Sequence, residues 1–329
     1  MQRFRWQIIL ALISATTTQF CHYSTKIKDY LDGVFPGGRE HLKEGGKFYR
    51  MFAKGNGNEL LPNKVARNTR PPKAYAVHSS SMLAYNFFHW ISPECPFRFS
   101  DGRTYDKVYF EVRMKTLKTS NMPVNMDVML VSDDCRSILC FESKFTEVNQ
   151  TGDASFRPAY LDKANYYNNY FRDDFIGYIS QFENVPHMYN DGIKQVVRHL
   201  LAISNLEQSN FAMNDFLTMN DFIEPEVAQM MQQRPLNISF ANLLFFNNQP
   251  AISSKCAINY ASMLDRFRAS DCFSTYFKNL MLQPLFVNTY DNILSIMQHQ
   301  MPDGLYDYLT TRYPTLHHVA EDGDRMYTC

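Results

Sequence analysis

From residue 78 to residue 246 the spacing of hydrophobic and polar positions changes period repeatedly, and each change predicts an element. "HSSSMLAYNFFHWI" is apolar on most faces behind serines suited to an N-cap, which predicts a buried helix of about three turns that Pro93 helps to end. Through 107–117, Val108, Phe110, Val112 and Met114 alternate with Lys107, Tyr109, Glu111, Arg113 and Lys115, the pattern of a half-buried strand. "VNMDVML" and "SILCFESKF" follow as runs that are apolar on both faces, as in strands covered on both sides. In "DGIKQVVRHLLAISNL", Ile193, Val196, Val197, Leu200 and Leu201 form one broad helical face, with Asp191, Gln195, Arg198 and His199 opposite. "LNISFANLLFF" reads as a further strand between Pro235 and "NNQP". The order is helix, three strands, helix, strand. It predicts an α/β fold whose mixed central sheet of four or five strands is flanked by helices.

Outside this stretch the pattern is less regular. Beyond residue 255 it is mainly helical, with one apolar strand candidate in "LMLQPLFVNTY". Residues 37–73 are broken by glycine, proline and asparagine and are expected to form a basic arm or linker. The domains expected are therefore a basic arm and helical segment at 1–74, a core at 75–255 with an insertion at about 146–190, and a helical extension at 256–329. The chain begins with "MQRFRW" and "IILALISA", an imitation of a secretory signal. That apolar run is short and "TTTQFC" offers no small-residue cleavage site, so an ordinary N-terminal helix is expected. No segment approaches the roughly 18 apolar residues of a membrane span.

A chain of 329 residues that is 45% hydrophobic has ample material for a large core, which excludes an intrinsically disordered protein. Its seven cysteines, Cys21, Cys95, Cys135, Cys140, Cys256, Cys272 and Cys329, are odd in number and never paired as CxxC. Reduced thiols in a cytoplasmic protein fit that pattern better than a disulfide framework or a zinc ribbon. The formal net charge of zero hides a division after Lys73: 13 Lys and Arg against 5 Asp and Glu before it, 20 against 28 after it. The basic first part could sit on a polyanion such as DNA or fold back on the acidic remainder.

The chemistry concentrates in "NMDVMLVSDDCRSILCFESKF", residues 125–145. Two core strands here carry Asp127, Glu142 and Lys144, and no other Glu-x-Lys occurs in the chain. If the turn is "DDCR", centred between Asp134 and Cys135, facing residues have numbers summing to 269. Asp127 then lies opposite Glu142, and Lys144 shares the face of Glu142. Two carboxylates so placed repel each other and are costly to bury, and a divalent cation would compensate both. Hard oxygen ligands suit Mg²⁺ or Mn²⁺, and a lysine beside them could assist water attack on a phosphate. A buried ion pair would satisfy the same charges structurally.

With these residues and this element order, the chain resembles the PD-(D/E)XK nuclease superfamily. The pieces "HSSSMLAYNFFHWI", "NMDVMLV", "CFESKFTE" and "QVVRHLLAISNL" look more narrowly like a bacterial family of restriction endonucleases, over roughly residues 75 to 310. The resemblance implies a restriction-endonuclease-like core and a metal-dependent endonuclease acting on DNA. In it Asp127 and Glu142 hold Mg²⁺, or Mn²⁺ as a substitute, Lys144 is the catalytic lysine, and the Ser143 carbonyl is a further ligand. No proline precedes Asp127, a departure from the superfamily pattern; Met126 stands there. Homodimerisation would be needed if each chain supplies one site for cutting both strands.

Three accessory positions remain open at this level. Glu111 could be a further acidic ligand or part of a solvated strand face with Arg113 and Lys115. Gln195 and His199, four apart on one helix, could reach the site or form an exposed face. The Tyr and Asn cluster at 165–170, with Arg172, could stack bases or simply pack. His317, His318, Glu321, Asp322 and Asp324 could bind metal or form a polar tail. No GxSxG elbow, GxxxxGK phosphate loop, HExxH helix or zinc-spaced cysteine set is present. A nucleotide cofactor is therefore not expected.

Overall fold

The computed structural model describes residues 34–54, 60, 63–65, 68–70, 79–100, 102–119, 123–144, 156–167, 175, 177, 190–233, 235–244, 255–277 and 287–313. The N-terminal apolar run, the C-terminal His- and Asp-rich stretch and most of the expected insertion lie outside them. In chain order the elements are helices α1 (Arg39–Leu42) and α2 (Tyr49–Lys54), strands β1 (Asn63–Val65) and β2 (Asn68–Arg70), helix α3 (Ser80–Phe88), and strands β3 (Phe97–Arg98), β4 (Thr104–Met114), β5 (Val124–Ser132) and β6 (Ser137–Lys144). Helices α4 (Asn190–Gln208), α5 (Asn210–Met219) and α6 (Pro225–Gln232) lead to β7 (Asn237–Leu244). Then come α7 (Lys255–Arg268), α8 (Asp271–Tyr276), β8 (Val287–Thr289), α9 (Tyr290–Met297) and α10 (Leu305–Arg312).

Strands β3 to β8 form one sheet in sequential order. Neighbours from β3 to β6 are antiparallel, whereas β6–β7 and β7–β8 are parallel. A short turn suffices to reverse β5 into β6, but a parallel return to β7 needs a long crossover, which α4 to α6 supply. The order α3, β4, β5, β6, α4, β7 is the helix, three strands, helix, strand expected from the sequence. The sheet exceeds the expected five strands by the two-residue edge strand β3.

Adjacent residues of β6 locate the two helical layers. The Phe141 ring stacks on Phe88 of α3 with centroids 5.2 Å apart, and the Ser143 hydroxyl donates to the Ser80 carbonyl at 3.0 Å. Glu142 and Lys144 instead bond to Gln195 of α4. Since successive strand residues point to opposite faces, α3 and α4 cover opposite sides of the sheet. Helix α3 is buried along its length and capped by Ser79, whose hydroxyl accepts from the Met82 amide at 3.2 Å; it ends at Phe88, before Pro93 is reached.

Two expectations change. Strand β4 is not half-buried, because Tyr109 and Glu111 are covered as well as Val108, Phe110 and Val112. The cover comes from the α5–α6 corner: the Tyr109 hydroxyl donates to Glu224 at 2.5 Å, and Asn220 accepts from the Arg113 amide at 2.9 Å. Residues 34–54 are not an arm. Val34, Leu42, Phe48, Met51 and Phe52 are buried, and the Phe48 and Phe52 rings lie 5.2 to 5.7 Å from those of Tyr85 and Phe110. Gly46, which reads as a helix breaker, permits this folding back: an added Cβ would come 2.4 Å from the Glu40 carbonyl oxygen. The two ends of the described chain also meet over α3. Buried Asn86 accepts from the Phe35 amide at 3.0 Å and donates to the Tyr313 hydroxyl at 3.3 Å. Among the described residues the cysteines Cys95, Cys135 and Cys140 are free thiols, and no helix is long and apolar enough to cross a membrane.

Candidate active site

The β5–β6 hairpin has the register that its turn predicts. Val128↔Phe141, Met129↔Cys140, Leu130↔Leu139 and Val131↔Ile138 each sum to 269. The turn is closed by the Cys135 amide on the Ser132 carbonyl at 2.9 Å and by Asp134, which accepts from the Ser132 hydroxyl and the Arg136 amide. Cys135 takes the left-handed backbone needed there, with φ 55°.

At the other end the backbone ladder stops after Val128↔Phe141. Continuing the register places Asp127 across from Glu142 and Asn125 across from Lys144. Here side chains take over from the ladder: Asp127 Oδ2 accepts from the Ser143 amide at 2.7 Å. In an extended strand the N–H and C=O of one residue point to the same side, so the Ser143 carbonyl faces the gap as well. On the β4 side, Glu111 lies between the paired positions Phe110↔Val128 and Val112↔Met126, opposite Asp127. Three carboxylates thus occupy one row across three adjacent strands.

Glu142 and Lys144 are both almost completely buried, at 2% and 3% exposure. The lysine donates to Glu142 Oε1 at 2.5 Å and to Gln195 Oε1 at 2.7 Å, while Gln195 Nε2 donates to the same Glu142 oxygen at 2.6 Å. Glu142 Oε2 has no hydrogen-bond partner. Burial, then the charges of Glu142 and Glu111, hold the Asp127 carboxyl well above the usual carboxylate range, against the pull of Lys144 and the Ser143 amide. Glu111 accepts from the Ser81 hydroxyl at 2.9 Å and from Asn125 Nδ2 at 3.2 Å. Its backbone is left-handed, with φ 50°, an uncommon conformation for a non-glycine residue inside a strand. That departure breaks strict alternation and lets the carboxylate reach a side chain of α3.

The seven residues singled out from the sequence, Glu111, Asp127, Glu142, Ser143, Lys144, Gln195 and His199, therefore converge. Glu111 is not on a solvated face, and Gln195 and His199 point at β6 because α4 packs on that side of the sheet. His199 is buried, its Nε2 lies 3.0 Å from the Asn125 carbonyl oxygen, and burial lowers its pKa. The sequence reading missed three supports. Ser81 and Asn125 hold Glu111, and the Tyr290 hydroxyl lies 2.6 Å from Ser143 Oγ. Asn125 was within reach of the argument, since it sits two residues before Asp127 on the same strand face; Ser81 and Tyr290 carry no local signal. Of the Tyr and Asn cluster, Tyr166 and Tyr167 pack rather than reaching the site: the Tyr166 hydroxyl donates to the Tyr160 carbonyl and that of Tyr167 to Asp215; positions 168–170 and 172 lie outside the described residues.

An orphaned carboxylate oxygen beside two further carboxylates and a backbone carbonyl is a donor set for a hard divalent cation. Among the described residues no three His, Cys, Asp or Glu side chains form a ready ligand cluster. Mg²⁺ needs none, because it keeps several waters and is commonly held by one or two carboxylates. The residues therefore fit such an ion.

A family model described as "Restriction Endonuclease associating with ARP" matches residues 66–270, more than half of the chain. No curated protein and no solved structure matches it.

Proposed function

Because the chain belongs to the family described as Restriction Endonuclease associating with ARP, we propose that it is a metal-dependent endonuclease that hydrolyses phosphodiester bonds of DNA at the open end of the β5–β6 hairpin. The observation that carries this reading is the buried Lys144–Glu142–Gln195 network set beside Asp127 where the ladder ends. Asp127, Glu142 and the Ser143 carbonyl would hold Mg²⁺ or Mn²⁺. When bound, the ion supplies a water of lowered pKa and a positive charge for the phosphate oxygens.

The chain's own residues do the rest. Gln195 spans Glu142 and Lys144, so it fixes the carboxylate and the ammonium relative to each other. Lys144, held beside Glu142, orients the attacking water and meets the charge that grows on the phosphate. Asp127, held through Oδ2 by the Ser143 amide, has its other oxygen to offer to the ion. Glu111, anchored by Ser81 and Asn125, adds negative potential that draws a cation in. The described residues of one chain hold one such site, so a double-strand cut calls for two copies or two successive nicks.

Cleavage of plasmid DNA by the full chain with Mg²⁺, Mn²⁺ or EDTA tests the reading. Metal-dependent nicking or linearisation is expected, with loss of at least about 10²-fold in Lys144→Ala and in Lys144→Gln. Absence of both cleavage and metal binding overturns it and leaves a nucleic-acid-binding scaffold with an inactive nuclease-like fold.

A further inference from the structure

Two buried polar atoms face each other without a hydrogen-bond partner: Glu142 Oε2 and His199 Nδ1, 3.6 Å apart. The residues that own them are 2% and 1% exposed. Their partner atoms are fully engaged. Glu142 Oε1 already accepts from Lys144 and Gln195, so Oε2 is the oxygen left for a ligand. His199 Nε2 lies 3.0 Å from the Asn125 carbonyl oxygen. A carbonyl can only accept, so Nε2 carries a proton, and Nδ1 is the nitrogen left to face Glu142.

The separation is too long for a hydrogen bond. It is short enough to be spanned by two ligand bonds of about 2 Å each. Two unpartnered polar atoms that face each other in a dry environment are costly unless a ligand lies between them. The imidazole is also held as ligating histidines are held: the ring nitrogen away from the metal donates to a backbone carbonyl, which fixes tautomer and orientation. Packing of the ring edge-on to Phe240, with centroids 5.8 Å apart, limits its rotation further.

We propose that His199 Nδ1 is a nitrogen ligand to the divalent cation held by Glu142 Oε2, which makes the centre a mixed nitrogen and oxygen site that prefers Mn²⁺ to Mg²⁺. The proposal rests on the nuclease reading above and adds a ligand from α4 to those of the hairpin. Imidazole suits transition metals, whereas Mg²⁺ takes oxygen donors, so the histidine sets cation preference.

Pulsed electron paramagnetic resonance on Mn²⁺ added to the metal-free full chain tests it without any assay of cleavage. The expected result is a nitrogen coupling to bound Mn²⁺ that changes frequency when the protein is labelled with [¹⁵N]histidine and disappears in His199→Gln. The same variant should lose about tenfold or more in Mn²⁺ affinity, with a smaller loss for Mg²⁺. Mn²⁺ bound without histidine coupling overturns the proposal and leaves the nuclease reading intact, as does a coupling that persists in His199→Gln. No Mn²⁺ binding at all overturns both. The labelled wild type needs no substitution, so the test stands even if His199→Gln does not fold.

Discussion

The two ends of the β5–β6 hairpin are built from the same pair of strands and solve opposite problems. At the turn, four successive backbone pairs are made, the facing side chains are Leu130, Leu139, Val131 and Ile138, and the polar atoms of Asp134 are bonded locally. At the open end the ladder is gone, Glu111, Glu142 and Lys144 are buried beside a half-buried Asp127, and one carboxylate oxygen is left without a partner. One end spends its interactions on folding. The other keeps some unmade, and a site that must bind something needs unmade interactions.

Substitutions can break this contrast from either side. The largest effect is expected at the open end: Glu142→Gln should lower DNA cleavage per folded molecule by about 10³-fold or more, and it should also lower the melting temperature, since the buried Lys144 ammonium loses its charged partner. At the paired end the outcome should invert. Leu139→Ala, which empties a fully buried position, should cost about 2–5 kcal/mol in denaturant unfolding and leave cleavage per folded molecule nearly unchanged. Asp127→Asn separates the two costs. The Asp127 pKa is raised on folding, so its contribution to stability is present at low pH and is lost as pH rises through the raised value. In EDTA the wild type should therefore lose stability with rising pH, and Asp127→Asn should flatten that slope while abolishing cleavage.

Asp291 contributes to the same slope and must be counted. It is buried in the first turn of α9, its Oδ1 is unpartnered, and burial pushes its pKa up to about 7. Melting curves across pH for the single variants and the pair separate the contributions; a slope unchanged in both singles would contradict the assignment. The smallest effect belongs to the turn, where Asp134→Ala should cost about 1 kcal/mol, with no change in cleavage.

How far this was legible from the sequence follows the range of the interactions. The strand order, the register and the convergence of Asp127, Glu142 and Lys144 depend on period-two alternation and a four-residue turn, and both are local. The burial of Glu111 was not legible, because it depends on a left-handed backbone that carries the carboxylate to Ser81 of α3, thirty residues earlier in the chain. His199 looked like part of a polar helical face for the same reason: the face is polar because it meets a polar site. Residues 34–54 misled in the same direction. Their glycines and charges dominate the composition, while the few aromatics that bury them are spaced to meet α3 and β4 and leave no periodic trace.

The stitch that Asn86 makes between Phe35 and Tyr313 has a practical bearing on where the chain can be cut. Both of its partners lie beyond the stretch that defines the family, so a fragment trimmed to residues 66–270 would strand a buried amide and strip the cover from one side of α3. The segment matched by the family model is smaller than the packed unit, and limited proteolysis should stop outside Phe35 and Tyr313 rather than at the edges of that segment.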